Sequence, residues 1–81
     1  MFLRITSDRG STSLDVDTFD QASRKVREFI ERRGLGAGCS DTTPAFRSAV
    51  VSTADRRKKL ARISYNGRVW DFVNDTEILT N

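Results

Sequence analysis

Between Phe2 and Thr6 apolar and polar side chains alternate, which puts Leu3 and Ile5 on one face of an extended strand and Arg4 on the other. Ser7-Asp8-Arg9-Gly10 supplies turn chemistry, and alternation resumes over Thr12-Ser13-Leu14-Asp15-Val16. A hairpin is the simplest arrangement, with Leu3, Ile5, Leu14 and Val16 sharing a core face and Asp15 outside with Arg4. From Phe19 the period lengthens. Phe19, Ala22, Val26, Phe29 and Ile30 stand at spacings of three, four, three and one, the stripe of an amphipathic helix from about Phe19 to Arg33. Thr18 as N-cap with Gln21 three residues on, and Asp17 and Asp20 at the positive end of the dipole, specify its start. Gly34 specifies its stop, with Leu35 placed to fold back onto Ile30.

Gly34 to Pro44 is glycine-rich and then polar, without periodicity, and reads as the most mobile loop of the chain. Strand character returns from Phe46 to Thr53, with Phe46, Ser48 and Val50 on one side and Arg47, Ala49 and Val51 on the other. Thr53 to Lys59 is the turn into a final hairpin, Leu60 to Val73, expected to reverse at Asn66-Gly67. As a two-residue type I′ turn, this sets Tyr65 opposite Arg68, Ile63 opposite Trp70 and Ala61 opposite Phe72, all on the core side. The opposite side then carries Leu60, Arg62, Ser64, Val69, Asp71 and Val73, with Arg62 facing Asp71. A slip by one residue would expose Trp70 and separate that ion pair. Beyond Val73 the tail is acidic, and Ile78-Leu79 forms a last short strand or turn.

The order strand, strand, helix, loop and three strands predicts an α+β fold: a single antiparallel sheet of four to five strands with one amphipathic helix packed on one face. At 81 residues this is one domain, residues 1–81, with a small core. Hydrophobic residues make up 37%, so the five Phe, Trp70 and Tyr65 are expected to supply much of the buried area, at about 2–3 kcal/mol for each ring fully buried. The lone cysteine, Cys39, allows no intrachain disulfide and fits a reducing cytoplasm, the host cytoplasm if the chain is phage-encoded. A leftover thiol can also pair between chains, which leaves a homodimer open. Met1 to Thr6 lacks the apolar stretch of a secretory signal, and no run approaches a membrane span, so a soluble cytoplasmic protein is expected.

Catalytic chemistry is not visible. The chain has no histidine, which removes the commonest general base and metal ligand together. Cys39 has no base to activate it, and the acids never fall into a metal-binding spacing. Gly34, Gly36 and Gly38 follow a helix, whereas phosphate cradling needs strand, glycine turn and helix in that order. The expectation is a non-enzymatic protein without cofactor or metal.

Charge then directs attention to one region. The net charge is only +3, but residues 46–70 carry seven basic groups and one acid, and eleven of the fourteen cations are Arg. Arginine suits bidentate recognition of phosphate or carboxylate. Arg56, Arg57, Lys58 and Lys59 form an unbroken run beside the last hairpin, and Arg47, Arg62 and Arg68 reinforce it, with Tyr65 placed to take a cation on its ring at the hairpin tip. These eight residues are the candidate partner-binding set. The same run would also serve as a solvated loop. Outer-face charges on the helix are expected to pair internally, as Arg24 with Glu28, Glu28 with Arg32 and Arg27 with Glu31. Phosphate contacts without base reading are the expected mode for any nucleic acid, and the basic surface argues against DNA mimicry.

Small size, Leu3-Arg4-Ile5-Thr6, the stretch SLDVDTFDQASRKVREFI, a loop, and strands ending RISYNGRVWDF together resemble type I anti-CRISPR proteins of phages and mobile elements. The resemblance lies in size and element order over about 70 residues, so it assigns no role to any single residue. It implies a non-enzymatic inhibitor that binds a type I CRISPR RNA-guided surveillance complex and blocks pairing with target DNA. The alternative is a stand-alone accessory protein that binds DNA or RNA nonspecifically.

Overall fold

A computed structural model of the chain describes residues 1–36 and 44–78. Its first hairpin joins β1 (Phe2–Ser7) to β2 (Gly10–Asp15) through a two-residue turn at Asp8-Arg9. The Ser7 hydroxyl fixes that turn, donating to the Gly10 carbonyl at 2.8 Å and accepting from the Arg9 amide at 3.2 Å. Leu3 and Ile5 are buried with Val16, Leu14 is half-buried, and Arg4 and Asp15 face solvent, as the alternation predicts.

Helix α1 (Phe19–Arg33) has the predicted bounds because both ends are set locally. The Thr18 hydroxyl accepts from the Gln21 amide at 3.0 Å, while the Gln21 side chain accepts from the Asp17 amide at 2.7 Å, so the capping box closes one residue before its usual place. Gly34 takes the left-handed conformation, φ 62°, and the Leu35 amide donates to the Ile30 carbonyl at 3.0 Å, the longer bond of a Schellman cap. Ala22, Val26, Phe29 and Ile30 are buried, and so is Ser23, which the apolar stripe does not reveal. The expected charge pairs on the outer face are replaced. Arg24 reaches back to Asp20 and Lys25 forward to Glu28, each at 3.6 Å, within one turn of the helix.

Four further strands follow, β3 (Phe46–Ser52), β4 (Lys59–Ile63), β5 (Val69–Asp71) and β6 (Glu77–Ile78), in a six-stranded antiparallel sheet ordered β2-β1-β3-β4-β5-β6. The sixth strand arises from the tail, which returns to pair Val69 with Ile78. One face of the sheet packs on α1 through Leu3, Ile5, Ala49, Val51, Ala61, Ile63 and Val69. The loop after the helix is tied at its ends, where Gly36 donates to the Pro44 carbonyl at 2.8 Å and accepts from the Phe46 amide at 3.0 Å. The expected mobile segment between these ties, with Gly38 and Cys39, lies outside the described residues.

The final hairpin differs from its predicted register by one residue. Ile63 pairs with Val69, Arg62 with Trp70 and Ala61 with Asp71. A type I′ turn needs positive φ at Asn66, and among the described non-glycine residues only Arg56 and Asp75 adopt it. Instead Tyr65, Asn66 and Gly67 form a three-residue loop: the Gly67 amide donates to the Ser64 carbonyl and the Ser64 amide to the Arg68 carbonyl, each at 2.9 Å, with Gly67 at φ 86°. That is a type I turn closed by a glycine bulge. The shift buries Val69 and turns Trp70 away from the helix. Tyr65 and Arg68 are no longer opposed, and Tyr65 packs on Phe46, with ring centroids 6.5 Å apart. Arg62 leaves Asp71 for Asp75, at 2.6 Å, while Asp71 instead accepts from the Val73 and Asn74 amides and caps the turn after β5.

The core is consequently aliphatic. Of the seven aromatic side chains only Phe29 is buried, against the expectation that the rings would supply much of the buried area. Tyr65 and Phe72 are exposed, and Phe2, Phe19, Phe46 and Trp70 are half-buried.

Candidate functional site

Alternation along the strands sends every second side chain to the face that α1 leaves open. The registers align Ser13, Arg4, Val50, Arg62, Trp70 and Glu77 in one row across six strands. With neighbouring strands about 4.8 Å apart, Arg4 and Trp70 stand roughly 14 Å from each other along the row. A register shift between Val51 and Ser52 sets Ser52 opposite Lys59 instead of Leu60, which brings Lys59 onto this face as well.

Three rings here carry a cation of the same chain. The Arg56 guanidinium lies 4.0 Å from the centroid of Phe2, the Lys59 ammonium 5.3 Å from Phe72, and the Arg62 guanidinium 5.5 Å from Trp70. Each stack contributes about 0.5–1 kcal/mol at an exposed site and holds an otherwise flexible cation in place. Arg56 is further constrained by its backbone, in the left-handed region at φ 64°. The turn around it is braced: the Thr53 amide donates to the Lys58 carbonyl at 2.9 Å, and the Asp55 carboxylate accepts from the Arg57 amide at 3.0 Å. The Thr53 hydroxyl, which donates to the Asp55 carboxylate, and then the Arg57 amide hold that carboxyl below the usual carboxylate range.

The open face is furrowed by three adjoining depressions. The first, about 380 Å³, is lined by Phe2, Arg4, Thr6, Ser48, Val50, Ser52, Arg56 and Lys59. The second, about 330 Å³, shares Ser48 and Val50 with it and adds Phe46, Arg47, Arg62, Ser64 and Phe72. The third, about 310 Å³, shares Ser64 with the second and ends at the hairpin tip among Tyr65, Asn66, Arg68 and Trp70. The three make a continuous track with six cations and no Asp or Glu in its lining. The hollows beside α1 differ, with Glu28 or Glu31 in their walls.

Carboxylates stand at the margins of the track, Glu77 next to Trp70 on the same face among them. Asp8 accepts from Arg47 Nε at 2.8 Å and Nη2 at 3.1 Å, and from the Ala45 amide at 2.9 Å. The Arg47 hydrogen bonds, then the Ala45 amide, hold the Asp8 carboxyl below its ordinary range. Arg62 likewise donates to Asp75.

Of the eight residues singled out in the sequence, Arg56, Lys59, Arg47, Arg62, Arg68 and Tyr65 all line the track. Arg57 and Lys58 are exposed in the turn and line none of the three depressions. The Tyr65 hydroxyl points elsewhere, donating to the Leu35 carbonyl at 3.4 Å. Sequence reasoning missed Phe2, Arg4, Phe46, Trp70 and Phe72 as site residues. The alternation of β1 already puts Phe2 and Arg4 on one face, and that signal was sufficient to find them; Trp70 and Phe72 depend on the hairpin register. Among the described residues no group of three metal-ligating side chains converges, and no helix is long and apolar enough to cross a membrane. Comparison with protein-family models, with curated proteins and with solved structures finds no match to this chain.

Proposed function

We propose that the protein is a non-enzymatic binding module whose open sheet face holds the backbone of a nucleic acid, largely without regard to sequence. The observation that carries this reading is the continuous track lined by six cations and no carboxylate. Phosphates would take the place of water and counterions along it, and five of the six cations are Arg, whose fork matches phosphate oxygens. Arg47 and Arg62 already engage carboxylates of the chain, so the remaining four supply the principal contacts. Four neutralised phosphates imply a loss of affinity of roughly a hundredfold between about 50 and 200 mM salt. Fluorescence anisotropy with a labelled oligonucleotide at those two salt concentrations tests the proposal. Absence of binding at the lower concentration would refute it.

A second reading keeps the face and changes the partner. The carboxylates gripped by Arg47 and Arg62 support an acidic protein surface as an occupant, in keeping with the inhibitor of a type I RNA-guided surveillance complex that the sequence resembles. Gel filtration with such a complex tests it: co-elution that is lost when Arg56 and Lys59 are reversed to Glu supports the inhibitor, and separate elution from every complex tried removes it.

A further inference from the structure

We infer that the strand held on this face is single, with its bases stacked along the track; the inference rests on the nucleic-acid reading above and specifies its ligand. Phosphate binding alone explains the cations but not the rings. Phe2, Trp70 and Phe72 project from the face that has no helix over it, and Phe72 keeps 40% of its surface exposed. An exposed ring gains nothing from a duplex, whose bases are already stacked. It gains directly from an unpaired base, and the Arg guanidinium planes beside the rings are themselves surfaces on which a base can stack.

Shape favours the same ligand. Reading a duplex groove takes a helix or a projecting two-stranded ribbon, and α1 is on the other side of the sheet. The β4–β5 ribbon is held at its tip toward α1, where the Ser23 hydroxyl donates to the Gly67 carbonyl at 2.6 Å. What remains is a shallow furrow of three hollows, each with at least one ring and one cation in its wall. Such a furrow accepts a short run of about four nucleotides, at the lower end of what small single-strand-binding folds cover.

Trp70 is the only tryptophan, so its fluorescence reports stacking at one defined place. The test is titration of the full chain with an oligothymidine of about 12 nucleotides, and separately with a duplex of the same length, at about 50 mM salt. The expected result is quenching of Trp70 by the single strand and affinity at least about tenfold above that for the duplex. Trp70→Ala should weaken single-strand binding roughly 5- to 150-fold and duplex binding by a clearly smaller factor, and Trp70→Phe should recover most of the single-strand loss. Phe72→Ala, at an exposed position, provides a second variant if Trp70→Ala does not fold. Equal affinity for both ligands, with no quenching and no effect of either alanine, would overturn the single-strand inference and leave phosphate docking standing. Binding of neither ligand would overturn both.

Discussion

The Ser23 hydroxyl, buried on α1, donates to the carbonyl of Gly67 across 44 positions of sequence at 2.6 Å. This bond holds the hairpin tip on the helix, and it accompanies the register that turns Trp70 outward. A Cβ at Gly67 would lie 2.8 Å from Arg27 Cδ and 3.2 Å from the Ser23 hydroxyl, on a backbone at φ 86°. Gly67→Ala should therefore cost about 1–2 kcal/mol from the left-handed backbone alone, and Ser23→Ala about 0.5–1.5 kcal/mol. Urea denaturation of the two single variants and the double variant checks this. The pair should be non-additive, because both act on one contact.

Burial in the hairpin gives an independent check of its register. Ile63→Ala, in the core, should cost about 2–5 kcal/mol, whereas Trp70→Ala should cost less, since the ring packs only against the open face. In the unliganded protein Trp70 should also be accessible to iodide quenching. A tryptophan shielded from iodide, and an alanine cost as large as that of Ile63, would restore the register with Trp70 inside.

The contrast between helix and hairpin shows what the sequence makes legible. Thr18, Gln21, Gly34 and Leu35 act on neighbours within a few residues, so both helix ends follow from local chemistry. Asn66-Gly67 is compatible with two loops that differ by one residue. What separates them is remote: Ser23 and Arg27 on the helix, and Ile78 returning to pair with Val69. Ranking by hydrophobicity puts Trp70 and Phe72 inside, yet the space beneath α1 takes the smaller Val69. The cations of the site were legible from composition and position, while two of its rings, Trp70 and Phe72, followed the register and were misplaced with it.

The helix caps should behave as local, separable contributions. Thr18→Ala should cost about 1 kcal/mol, a fall in Tm of about 4–8 °C for a domain of this size, without altering the open face. Circular dichroism melting measures the shift. Nucleic-acid affinity unchanged at a temperature where both proteins are folded would separate stability from binding.

Acid sensitivity should originate at Asp8, Asp55 and Asp71. Hydrogen bonds from Arg47 hold Asp8 below the ordinary value of 3.8, hydrogen bonds from Thr53 do so for Asp55, and the Asn74 and Val73 amides do so for Asp71. A depressed carboxyl stabilises the fold above its unfolded value and loses that contribution as pH falls through the folded one. Stability should thus hold through the neutral range and decline below about pH 4. Asp8→Asn should lower the urea midpoint at neutral pH, and its difference from the parent should shrink below that pH. A difference that stays constant down to the acid limit would show that Asp8 is not held ionised by Arg47.

The face assigned to the ligand is open to direct observation by two-dimensional NMR of the labelled protein titrated with oligothymidine at low salt. The amides of Arg4, Val50, Arg62 and Trp70, with the Trp70 indole, should shift together, and the outer helix positions Arg24, Glu28 and Arg32 should stay in place. Shifts centred on the helix with the sheet row unmoved would contradict the account.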